Sequence, residues 1–285
     1  MEYCGRQFSH TEIDLIRDLI ARGLNRSHLS RVFCEKRGWR KVDGGLKEMS
    51  CRVALLRMER DGHIVLPPPQ RPANNHLKKP KGTDLPVPEV STVGTLDMEL
   101  ADRSTSGLWN AYIETYHYLK YTPLPGAQLR YLVRSHGQIL ALLGFSAAAW
   151  ACAPRDGYIG WDKQARKKNL HLVVNNSRFL VLARHPNLAS RILSLTSRRI
   201  ASDWRTRYGY EPVLLETFVE KERFTGCCYK ASNWRLVGET KGRGKLDVHH
   251  EHKVPVKSVW VYPLRKDFAQ WLRSGSSPER GSTRS

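Results

Sequence analysis

The chain has 285 residues, 40% of them hydrophobic, which excludes a mainly disordered polymer and allows one large domain or two ordinary ones. Its 47 Lys and Arg against 27 Asp and Glu leave a net charge of +20, a field that favours a polyanion partner: DNA, RNA or an anionic membrane. A soluble enzyme that happens to be basic is the plain alternative.

The opening "MEYCGRQFSH" lacks the apolar core of an export signal, and the most apolar run, residues 139–153, is too short to span a bilayer. A cytoplasmic location without a membrane partner is expected. The six cysteines show no paired spacing, and the adjacent Cys227 and Cys228 suit reduced thiols better than a disulfide or a zinc knuckle.

Residues 10–66 predict three helices and a short strand. The first begins at Thr11 as N-cap, buries Ile13, Ile16 and Ile20, and ends at Gly23. The second follows Asn25 and carries Leu29, Val32 and Phe33. The third has Leu46, Met49, Val53 and Leu56 on one apolar stripe and ends at Gly62, before a strand "HIVL". Three short helices and a strand is the order of a winged helix-turn-helix, so residues 1–66 are expected to bind DNA. Lys47, Ser50, Arg52, Arg57 and Arg60 of the third helix would meet the duplex. A small helical bundle with solvated arginines is the alternative.

Residues 67–95 are rich in proline, polar residues and lysine, and predict a stiff, basic linker whose lysines can follow a nucleic-acid backbone. Residues 96–272 predict a larger α+β domain. It opens with a helix over "SGLWNAYIETYHYL" that places Leu108, Tyr112 and Tyr116 on one side. Successive strands follow, with a hairpin bend at His136-Gly137, and "ILALLGFSAAAWACA" reads as two core strands joined by a bend. "HLVVNNSRFLVL" gives two strands or one bent strand. A long helix from Asn187 turns Leu188, Ile192, Leu195 and Ile200 inward, and "PVLLETFV" and "KSVWVYPL" are buried strands. Residues 273–285 predict a disordered tail.

The segment "GETKGRGK" looks at first like a nucleotide loop. Five residues separate Gly238 from Gly244-Lys245 where a phosphate loop needs four, and Leu246 follows where Ser or Thr is needed. A glycine-rich phosphate-contacting segment remains, with Lys241, Arg243 and Lys245. Upstream, Tyr229, Lys230, Asn233 and Trp234 mix aromatic with basic and amide groups, which suits stacking on an unpaired base beside a backbone contact. The two aromatics read equally well as core.

Acidic candidates are few. Asp156 follows an apolar run, and Glu216 sits inside a buried strand, where a carboxylate needs a partner or a metal. Together they could hold Mg²⁺ and activate water or a hydroxyl for phosphodiester attack, with His117 or a neighbouring tyrosine assisting. Arg155, Arg178 and Lys230 would hold the phosphate. Equally, Asp156 and Glu216 could be ion-paired with Arg155, Arg166 or Arg178. "VHHEHK" has metal-ligand chemistry without a trusted spacing.

Arg184 to Ala189 resembles the coenzyme A pyrophosphate loop of GNAT acetyltransferases, with Asn187 in place of the first glycine. The stretches "YHYL", "RDGYIGW", "NNSRFLVL", "NLASRILSL", "ETFVE", "FTGCCYKASNWRLVGETKGRGK" and "VYPL" together resemble the DruA family, named for Druantia anti-phage systems and including chains labelled transposases. That resemblance implies mobile DNA or phage defence with DNA as partner. The resulting expectation is an N-terminal winged helix-turn-helix joined to a GNAT-like mixed-sheet domain, cutting or transferring DNA strands with Mg²⁺. Other transposition or defence proteins, or a second copy of the chain, are further partner options. A non-catalytic DNA-recognition subunit and a coenzyme A-dependent acyltransferase are the alternatives.

Overall fold

In the computed structural model, which describes residues 1–70, 80, 85–242 and 254–274, Ser9 starts the first helix. Its hydroxyl accepts from the Glu12 N–H while the Glu12 carboxylate accepts from the Ser9 N–H, a reciprocal cap that moves the N-cap two positions ahead of Thr11. The chain divides into two units, Met1–Lys78 and Lys79–Ser285.

The first unit has a short hairpin, β1 (Glu2–Tyr3) with β2 (Arg6–Gln7), and three helices, α1 (His10–Ala21), α2 (Arg26–Lys36) and α3 (Glu48–Arg60). Asn25 caps α2 as expected, accepting from the Ser27 and His28 N–H groups. Phe8, Ile16, Phe33, Trp39, Leu55 and Met58 build the core. Two expectations are corrected here. On α3 the core face is Cys51, Ala54, Leu55 and Met58, while Met49, Val53 and Leu56 are 64%, 38% and 47% exposed. Both faces repeat at helical period, and packing against α2 covers only one of them. "HIVL" is extended but not a paired strand: Ile64 and Leu66 are buried, and the Leu66 N–H bonds the Glu59 carboxylate. The described residues of this unit therefore form a three-helix cluster with an N-terminal hairpin.

The second unit is built on one seven-stranded mixed sheet. In chain order it contains β3 (Asp97–Leu100), α4 (Ser106–Tyr116), β4 (Leu129–Ser135), β5 (Gln138–Ala147), α5 (Ala153–Ile159), α6 (Lys163–Asn169) and β6 (Val173–Val181). Then come α7 (Leu188–Tyr208), β7 (Leu214–Glu220), α8 (Cys227–Ala231), β8 (Arg235–Glu239), β9 (Lys257–Pro263) and α9 (Phe268–Ser274). The sheet order is β3-β4-β5-β6-β7-β9-β8, antiparallel throughout except for β6 with β7. The long helix α7 makes the crossover between those two strands and buries Ile192, Ile200 and Trp204 in the main core. The α+β class is thus as expected. His136 and Gly137, with φ of 47° and 78°, form the expected tight bend between β4 and β5.

Two details differ from the sequence reading, and of its two alternatives for β6 the single bent strand is the one formed. Residues 148–159 hold no second strand. The chain leaves β5 and enters α5, with Pro154 in its first turn and left-handed Gly160 closing it, so Asp156 lies on a helix. Strand β6 is single but bulged: Arg178 opposes Gly144 and Asn176 opposes Phe145, leaving Ser177 as the extra residue. The end of the proline-rich stretch packs on this unit, with the Tyr112 hydroxyl donating to the Pro86 carbonyl and Val90 and Val93 against the main core. Residues 71–79, 81–84 and 275–285, which hold most of the linker and the tail, lie outside the described residues. Among the described residues no helix is long and apolar enough to cross a membrane.

Candidate functional site

The parallel pairing of β6 with β7 covers only three residue pairs, from Val173–Leu214 to Asn175–Glu216. Just beyond it the Thr217 hydroxyl donates to the Asn176 carbonyl at 3.0 Å. The hydroxyl of Tyr229, from α8, donates to Asn176 Oδ1 at 2.8 Å. The bulge at Ser177 then carries β6 along the wall of a cleft of about 430 Å³, with Thr122, Phe218, Thr240 and Lys257 among its other lining residues.

Arg178 is the unusual member of this cleft. Its Nη1 donates to the Ser177 carbonyl at 2.8 Å and its Nη2 to Thr122 Oγ1 at 2.7 Å. Its Nε is buried without a hydrogen-bond partner, and among the described residues no carboxylate pairs with it. Burial lowers its pKa, with Tyr118 pulling weakly the other way. Asn175 Oδ1, also in the lining, is buried and lacks a donor. Among the described residues the charged ones lining the cleft are Arg178 and Lys257, both cations.

An aromatic ladder stands beside Arg178. His117 stacks on Tyr118 at 4.9 Å, Tyr118 meets Phe224 at 5.4 Å, and Phe224 is 50% exposed. The Arg223 guanidinium lies over the Tyr118 ring and pairs with Glu220. His117 is buried, and its Nδ1 accepts from the Leu119 N–H. Burial first, and then the charge of Arg178, push its pKa down to about 4, so it is neutral at neutral pH. Its place is therefore next to Arg178 in the ladder.

The structure does bring Asp156 and Glu216 together, but with Arg155 between them. Arg155 donates through Nη1 to Glu216 Oε2 at 2.8 Å and through Nη2 to Asp156 Oδ1 at 2.7 Å. Glu216 Oε1 accepts from the Ala149 N–H at 2.7 Å. Asp156 also accepts from Trp161 Nε1 and, at Oδ2, from Arg166 Nη1 and the Cys152 N–H. Burial works against the Arg155 charge, yet the two carboxylates raise its pKa overall. For Asp156, burial is outweighed by Arg155 and the pKa falls, whereas at Glu216 burial dominates and raises it. These residues do not fit a magnesium ion as they stand. All four carboxylate oxygens are taken by N–H donors, a cation already lies between the two acids, and Glu216 is wholly buried from the water that magnesium keeps in its shell. Among the described residues no cluster of His, Cys, Asp or Glu is arranged to hold a metal.

The remaining predicted residues scatter. Tyr229 and Trp234, expected to stack on a base, are buried and pack edge-to-face at 5.1 Å, so they are core aromatics. Lys230 is exposed on α8, and Asn233 takes a left-handed turn just after it, with φ of 64°. Lys241 is described, while Arg243, Lys245 and residues 248–253 lie outside the described residues. In the first unit Arg57 is exposed, Lys47 starts α3, and Arg52 Nη2 rests on Met49 Sδ. At the loop that resembles a coenzyme A pyrophosphate loop, Asn187 caps α7 with φ of 60° and carries a side chain where a glycine would allow close approach. The sequence reading missed Phe224 and Lys257. The signal for Phe224 was a lone aromatic in the charged turn "VEKERFTG" after a buried strand.

A family model described as "Druantia protein DruA" matches residues 66–251. No curated protein sequence matches the chain. Among solved structures, an N-acetyltransferase from Staphylococcus aureus Mu50 is similar at 10% identity and a TM-score of 0.38, over 60% of this chain and 99% of that one. A Drosophila melanogaster polyamine N-acetyltransferase is similar at 12% identity and a TM-score of 0.39, over 59% of this chain and 100% of that one. The ribosomal-protein-S18-alanine N-acetyltransferase of Escherichia coli is similar at 9% identity and a TM-score of 0.35, over 60% and 94%.

Proposed function

The chain belongs to the DruA family, and from that premise we propose that it acts in anti-phage defence as a DNA-binding protein whose second unit seats a backbone phosphate at Arg178. The observation that carries this reading is the Arg178 guanidinium, which no acid among the described residues compensates. A cation drawn partly out of water without an acid beside it is unfavourable unless an anionic ligand completes the site. A phosphodiester suits it, because a guanidinium holds phosphate oxygens with directed, charge-assisted hydrogen bonds. Lys257 adds a second cation to the same lining, and the net charge of +20 draws a polyanion from a distance.

Recognition is favoured over metal-dependent strand cleavage because Asp156 and Glu216, the acids chosen for magnesium, are held by Arg155. It is favoured over acyl transfer because Asn187 puts a side chain at the N-cap of α7, where the coenzyme A loop has its first glycine. In the first unit, Lys47, Arg52 and Arg57 of α3 are the proposed duplex contacts.

The test is a titration of labelled DNA across salt concentrations with the parent protein and Arg178→Gln. The parent should lose affinity steeply with salt, and the log–log slope should become shallower by roughly one contact in the variant. A flat salt dependence of the parent would overturn the reading.

A further inference from the structure

We propose that the cleft receives an unpaired nucleotide, with its phosphate at Arg178, its base against the half-exposed Phe224 end of the aromatic ladder, and a Watson–Crick edge at Asn175. The inference rests on the reading above that Arg178 seats a phosphate, and it adds what that phosphate belongs to.

Three observations carry it. The ladder His117–Tyr118–Phe224 ends in a large ring left 50% exposed, and Leu119, adjacent to Tyr118, lines the cleft itself. A half-exposed ring, on a ladder whose inner members His117 and Tyr118 feel the Arg178 charge, offers a base a surface within reach of its phosphate, and every base offers a π-face. Secondly, Asn175 Oδ1 is a buried acceptor without a donor. Each of the four bases presents an N–H on its Watson–Crick edge, and that edge is open only when the base is unpaired. Thirdly, about 430 Å³ is on the scale of one nucleotide and lies near the lower end of the roughly 300–1,000 Å³ typical of small-ligand pockets. The stacking role expected of Trp234 thus passes to Phe224, whose free face Trp234 lacks.

The experiment measures fluorescence anisotropy of the full chain with a labelled oligothymidylate and with an abasic strand of equal length, which keeps the phosphates and lacks the bases. The parent should bind the abasic strand about 5- to 100-fold more weakly, the scale of losing one stacked base. Phe224→Ala should bind the two strands alike, with an unchanged melting temperature and an unchanged salt slope, and Phe224→Trp should restore the preference. If the parent binds both strands equally, or Phe224→Ala keeps the preference, the nucleotide inference falls while the phosphate reading stands. If Arg178→Gln matches the parent on both strands, the phosphate reading itself falls.

Discussion

Arg155 Nη1 donates to Glu216 Oε2 at 2.8 Å, and neither side chain reaches solvent. This contact joins α5 to the middle of β7, and through Asp156 and Arg166 it extends to α6. An ion pair of this kind holds three elements in register, because removing either partner strands a charge in the core.

Arg155→Met should therefore destabilise the protein by about 3–5 kcal/mol, while the double variant Arg155→Met/Glu216→Leu should recover much of the loss. Urea melts of the two variants and the parent measure this. An Arg155→Met protein that melts with the parent would show that the pair is not structural.

His117 gives a pH signature. Its folded pKa of about 4 lies below the ordinary 6.5, so the unfolded chain takes up a proton first. The contribution is complete above about pH 6.5 and declines as pH falls towards 4, by about 3 kcal/mol in all. Melting temperature against pH should fall less steeply through that window in His117→Gln. Parallel curves would remove His117 as the source.

Arg178 sets function against stability. Replacing it with Met removes a desolvated charge that has no acid partner among the described residues, so the melting temperature should hold or rise by roughly 2–4 °C, the equivalent of about 1 kcal/mol for a unit of this size. DNA affinity should fall in the same protein. A variant that melts well below the parent would make Arg178 a packing residue.

Tyr229→Phe leaves Asn176 Oδ1 without its donor and should cost about 1–3 kcal/mol, and Tyr229→Ala more, as a cavity opens beside Phe179 and Trp234. Acetyl-coenzyme A should leave the melting curve of the parent unmoved. A shift of several degrees would restore the acyltransferase reading.

The first unit has its own core around Ile16, Phe33 and Leu55. A fragment of residues 1–78 should fold cooperatively and bind duplex more tightly than single strand, and Arg57→Glu should weaken that binding. Equal, weak binding of both forms would point to a packing role for α3.

Much of the fold was legible because its signals are local. Asn25 caps α2 through N–H groups two and three residues on, the His136-Gly137 bend closes a hairpin, and the apolar period from Leu188 runs the length of α7. The buried setting of Glu216 and the family motifs were readable in the same way. Tertiary structure alone decided the rest. Two faces of α3 share one period, and only contact with α2 chose Leu55 over Leu56. Whether Asp156 and Glu216 face a metal or a guanidinium depended on bringing Arg155 to a residue 61 positions away. Which aromatic keeps a free face, Trp234 or Phe224, depended on which one α8 and the sheet cover. Periodicity and capping act over about four residues, whereas burial and charge pairing are settled between segments that meet only when the sheet closes, so composition can announce the +20 field but not that the Arg178 Nε is buried without a partner among the described residues.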